Sequence, residues 1–149
     1  MLTVLCLFIV GFFTNAVAQE KPTPAYKVTK INLVPFEVQT GKLEDGISEN
    51  DDRAFFNEIS KRYLITVEVA GESGSFEMGR NLEIVVTEGK KQIARKSEQI
   101  DLIGEGGKVF MPLWIDKPLC DTVTITARIT GQKTPSTLTR KVTIFQCGE

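Results

Sequence analysis

The sequence predicts an all-β protein, an antiparallel β-sandwich of about seven strands with one short helix near residues 49–60, behind an N-terminal signal peptide. Three observations predict it. Stretches of alternating apolar and polar residues recur at roughly 10–15-residue spacing, parted by turns rich in Gly and Pro. The tail folds on paper into a hairpin whose apolar residues and cysteines agree on one alignment. The first 18 residues carry no charge and are almost wholly apolar.

That opening segment ends in Thr14, Asn15, Ala16, Val17 and Ala18. Ala16 and Ala18 form the small-x-small pattern that signal peptidase accepts, so cleavage before Gln19 is expected. The apolar run is shorter than the roughly 20 residues of a spanning helix. Its n-region lacks Lys and Arg, which leaves an uncleaved anchor as the alternative. A lipoprotein signal does not fit, because Cys6 follows Leu5 where a small residue is needed. The expected organisation is therefore 1–18 signal peptide, 19–26 extended leader with Pro22 and Pro24, and 27–149 a single sandwich domain. Removing 18 of 149 residues leaves 131, long enough for one core that buries about two-thirds of the unfolded surface. The protein is expected outside the cytoplasm, secreted or periplasmic, with no transmembrane segment in the mature chain.

Residues 26–40 read as a first strand. Its apolar parity changes from Ile31 and Leu33 to Val34, Phe36 and Val38, and Pro35 lies at the change. A proline cannot donate to a ladder, so an edge strand kinked at Pro35, and crossing between sheets there, is expected. Residues 41–62 are different. Ser48 with Asp51 resembles a capping box, Glu49, Asp51 and Asp52 suit a helix N-terminus, and Phe55, Phe56 and Ile59 make one apolar face. A helix of about two to three turns over an open end of the sandwich follows. Tyr63, Ile65, Val67 and Val69 then point inward on a strand, as do Leu82, Ile84 and Val86 on the next. Residues 92–99 are a polar strand whose Arg95, Lys96 and Glu98 suit a sheet edge. Residues 108–115 put Val109, Met111, Leu113 and Ile115 on one face, and Pro112 marks an edge or a bulge.

The final hairpin spans residues 120–147. Val123, Ile125, Ala127 and Ile129 alternate with Thr122, Thr124, Thr126, Arg128 and Thr130. Folding the chain about residues 131–136 sets Ile129 opposite Leu138, Ile125 opposite Val142, Val123 opposite Ile144 and Cys120 opposite Cys147. With Cys6 removed, two cysteines remain, and a pair in an exported chain argues for one disulfide, Cys120–Cys147. The architecture resembles an immunoglobulin-like sandwich, but the hallmarks are missing: Trp114 does not lie between two distant cysteines, and no Tyr stands two before Cys147.

Composition narrows the chemistry. The chain has no histidine, which excludes Ser-His-Asp and Cys-His catalysis and His-ligated zinc. Oxidised cysteines are poor nucleophiles. A net charge of −1 favours neither nucleic acid nor an anionic membrane. No cofactor is indicated, apart from calcium at one loop. There Glu44, Asp45, Glu49, Asp51 and Asp52 gather hard oxygens, and calcium takes roughly six to eight of them. The spacing does not match an EF-hand, and a solvated loop capping a helix explains the same residues. A second candidate surface is the polar face of the last hairpin, with Thr124, Thr126, Arg128, Lys141 and Thr143, which equally suits a wet face of good β-formers. Trp114 and Phe110 share the parity opposite to Met111 and Leu113, either as an exposed aromatic platform or packed under the Phe55/Phe56 helix. The expected function is an exported non-catalytic module that binds a protein or cell-envelope component, or plays a structural role. The alternative is a small carboxylate-dependent hydrolase with calcium as an assisting ion, and a third reading is an inhibitor or folding aid acting through an edge strand.

Overall fold

A computed structural model describes residues 25–47 and 61–143. Its strands are β1 (Lys27–Glu37), β2 (Lys42–Leu43), β3 (Lys61–Ala70), β4 (Asn81–Glu88), β5 (Lys91–Gln99), β6 (Lys108–Ile115), β7 (Thr122–Thr130) and β8 (Ser136–Thr143). They form two antiparallel four-stranded sheets, β2-β1-β3-β6 and β5-β4-β7-β8. Facing side chains from both sheets make one apolar cluster, a sandwich-like arrangement. No helix occurs among the described residues, so none there is long and apolar enough to cross a membrane. The signal peptide and the helix near 49–60 lie outside the described residues.

The alternating patterns place the core as expected. Tyr63, Ile65, Val67 and Val69 are completely buried, and Leu82, Ile84, Val86, Val123, Ile125, Ala127 and Ile129 face them. Loop residues Ile100, Ile103 and Leu119 fill the ends. Tyr26, assigned from the sequence to the leader, is also a core residue.

Two expectations are corrected. First, β1 does not kink or change sheets at Pro35. It pairs with β3 along its whole length, with Pro35 opposite Tyr63 in regular register. The change of parity lies instead at a bulge between Val28 and Lys30, where Thr29 is the extra residue. Beyond the bulge Ile31, Leu33 and Pro35 face inward, and Val34 and Phe36 face outward. Second, the β7–β8 register is offset by two residues from the one read from the sequence. Val123 stands opposite Val142, Ile125 opposite Arg140 and Ala127 opposite Leu138. A shift of two keeps every side chain on its face, so parity cannot distinguish the two alignments. Ile144 and Cys147 lie outside the described residues.

The true register exposes an inward-pointing charge. Arg140 shares the parity of Leu138 and Val142, is only 9% exposed, and donates to the carbonyl of Ile31 at 2.6 Å and to that of Ile47. It is one of several links along the free edge of β1. Gln132 accepts from the Tyr26 N–H (3.1 Å) and donates to the Tyr26 carbonyl (2.9 Å), and the Ser136 hydroxyl accepts from the Val28 N–H (3.0 Å). Further along, the N–H groups of Ile47 and Glu44 donate to the carbonyls of Leu33 and Pro35, before β2 takes over at Phe36. The backbone groups of this edge are thus satisfied largely by side chains and a loop rather than by a full strand.

Candidate functional site

Outward-facing residues divide the two sheets sharply. The outer face of β4-β5-β7-β8 is polar. It carries Thr124 opposite Lys141, Thr126 opposite Thr139, Arg128 opposite Thr137 and Thr122 opposite Thr143. The sequence-derived surface of Thr124, Thr126, Arg128, Lys141 and Thr143 is therefore gathered on one face. Its hydroxyls partly satisfy one another, with Thr126 and Thr139 3.2 Å apart.

The outer face of β1-β3-β6 has two ends of opposite character. At one end, Glu68 accepts from the Thr29 hydroxyl at 2.7 Å and pairs with Lys108 at 2.9 Å, a clamp across all three strands. The Thr29 hydroxyl and the Lys108 ammonium hold the Glu68 carboxyl below its ordinary value despite partial burial. At the other end, Val34, Leu64 and Trp114 lie on one rung across the three strands. Phe36 and Trp114 meet edge to face across β3, with centroids 5.6 Å apart and planes at 83°. Trp114 remains 51% exposed; Phe110, 57% exposed, stands opposite Glu68 at the charged end. Both rings are platform-like among the described residues; the Phe55/Phe56 segment lies outside them.

A cleft of about 450 Å³ sits at this aromatic end, lined by Phe36, Val38, Arg62, Trp114 and Asp116. Arg62 Nε donates to Asp116 Oδ1 at 2.8 Å on its rim. The polarity of β6 explains the site. Phe110, Pro112 and Trp114 all face outward because Val109, Met111, Leu113 and Ile115 face inward. The parity of Trp114 and Phe110 was legible from sequence. Phe36 and Val38 were missed as their neighbours, because the parity change was placed at Pro35 instead of Thr29.

A larger groove of about 680 Å³ runs between the edges of β1 and β8, lined by Thr29, Lys30, Asn32, Ile47, Thr139 and Arg140 among others. It is lined by no carboxylate among the described residues. The acidic loop is only partly described. Glu44 forms an ion pair with Lys61, which also pairs with Glu37 at 3.1 Å. Burial pushes the Lys61 ammonium down, but the two carboxylates outweigh it and leave it above its ordinary value. Asp45 is exposed, and Glu49, Asp51 and Asp52 lie outside the described residues. Among the described residues no group of three or more His, Cys, Asp or Glu side chains is placed to hold a metal.

No family model matches the chain, and no curated protein matches it.

Proposed function

We propose that this chain is an exported, non-catalytic β-sandwich module that binds a protein or cell-envelope component through the aromatic end of the β1-β3-β6 face. The carrying observation is the half-open Trp114, braced by Phe36 and flanked by Arg62 and Asp116 in one cleft. Phe76, Met78 and Leu102 are exposed elsewhere, but apolar surface gathered beside a charged pair marks interaction sites, and Trp and Arg are the residue types that dominate binding energy. The carboxylate-hydrolase alternative draws less support, since among the described residues neither cleft is lined by two carboxylates. Retention on the envelope fraction of the source organism tests the reading. Trp114→Ala abolishes it and Thr126→Ala, on the opposite face, does not; equal retention of both variants overturns the assignment of this face.

Three finer readings belong to the same proposal. The immunoglobulin-like class draws support from the strand order: β1, β3 and β6 share one sheet, while β4, β7 and β8 share the other with β5 beside β4. The Cys120–Cys147 disulfide rests on the sequence, with Cys120 two residues before β7 and Cys147 four residues after β8 along the chain; the alignment that set them opposite is the one corrected above. Closing that loop stabilises by roughly 3–4 kcal/mol, so reduction lowers the urea midpoint and Cys120→Ala lowers it equally, without further response to reductant. Calcium at the acidic loop draws no support from Glu44, whose carboxylate is engaged by Lys61. A melt raised by excess calcium and reversed by chelator would reinstate it.

A further inference from the structure

We infer that the Trp114 cleft is a subsite for a neutral pyranose glycan; this inference deepens the module reading above and rests on it. The cleft combines two surfaces that a sugar ring also combines. Phe36, Val38 and Trp114 offer apolar area for the C–H face of a pyranose. At the rim, where ring hydroxyls would lie, Asp116 is the acceptor, held by Arg62, whose Nε donates to it at 2.8 Å and whose Nη1 donates to the Lys61 carbonyl at 2.9 Å. The Asp116 side chain is 92% exposed, so its carboxylate keeps acceptor sites open beyond the one facing Arg62.

Other occupants fit less well. A lipid or an apolar protein surface would cover the Arg62–Asp116 pair without replacing its water, and desolvating an ion pair is costly. Hydroxyl groups replace those water hydrogen bonds one for one. An added peptide strand finds no ladder on β6, because Pro112 has no N–H and its carbonyl already accepts from Lys96 Nζ at 3.0 Å. An acidic sugar meets the exposed Asp116 carboxylate as a like charge.

The probes are cellohexaose, chitohexaose and mannohexaose, titrated into the exported protein at millimolar concentration. Trp114, the single tryptophan, reports occupancy by fluorescence, and amide shifts locate it. The expected result is saturable binding of at least one hexasaccharide, with shifts confined to residues 36–38, 62 and 114–116. By calorimetry, Trp114→Ala abolishes binding, Asp116→Asn weakens it about tenfold, as loss of a charged hydrogen bond does, and Ser97→Ala, at an exposed position of β5, leaves it unchanged. If no hexasaccharide binds, or the shifts fall elsewhere, the glycan class is overturned. The module reading survives that result if Trp114→Ala still abolishes envelope retention, and falls with it if retention is unchanged.

Discussion

At the scale of single residues, two glycines and one arginine hold the loops to the sheets. Gly131 has φ +80°, and a Cβ there would run into the Gly79 carbonyl. Gly131→Ala therefore combines backbone strain with a backbone clash, and urea unfolding should show a loss of about 2–4 kcal/mol. At Gly71 a Cβ would come within 2.6 Å of the Tyr26 ring, a side-chain clash that the ring can partly relieve. Gly71→Ala should cost less, about 1–3 kcal/mol. Arg140 is the residue that pattern reading could have found and did not. It falls between Leu138 and Val142 on the inward parity, and the alternation rule marks it as buried. Its partners are carbonyls of Ile31 and Ile47, residues far away in sequence, and nothing local announces them.

At the scale of elements, the exposed strand edges are blunted in different ways. β8 turns Arg140 inward, and β5 turns Lys96 and Glu98 toward the core side, where Lys96 reaches the Pro112 carbonyl of β6. β6 carries Pro112 itself, and β2 is two residues long. Inward charges and prolines on edge strands discourage pairing with other chains, which argues against action through an added strand. Arg140→Val makes β8 a strictly alternating strand with an apolar inner face. This variant should lose stability and also form concentration-dependent oligomers, visible by analytical ultracentrifugation, whereas Arg140→Lys keeps the charge and stays in the parent state. Faces were legible for most long strands because alternation reports facing directly. Register was not, because a slip of two leaves alternation intact. β2 was missed because two residues carry no period, and the aromatic cleft because its rings meet across an intervening strand.

At the scale of the whole molecule, charge ties stability to pH. Burial raises the Glu88 carboxyl, but Lys117 and the Cys120 N–H outweigh it and hold it below its ordinary value, as Thr29 and Lys108 hold Glu68. A depressed folded value means the unfolded chain binds protons more readily in acid. The stabilisation is present above the ordinary 4.5 and is lost as pH falls through the folded values. Glu68→Gln with Glu88→Gln should flatten the acid limb of a stability profile between about pH 6 and about pH 2, measured by urea midpoints. Lys61 acts with the opposite sign. Its raised value gives stabilisation that is complete below the ordinary 10.5 and fades as pH rises through the folded value. Lys61→Met should flatten the alkaline limb and leave the acid limb steep.

The side chains that close the free edge of β1 come from the far end of the chain. Gln132 meets Tyr26 across 106 positions, Ser136 meets Val28 across 108, and Arg140 meets Ile31 across 109. Contacts of such long range make folding slow, since a large loop must close before they form. β1 has its partner β3 once residue 70 is made, but these edge contacts wait for residues 132–140. A nascent chain halted before residue 132 would hold β1 without its seal, so protease sensitivity of the amino-terminal strand in staged ribosome-bound lengths should fall only after the final hairpin emerges.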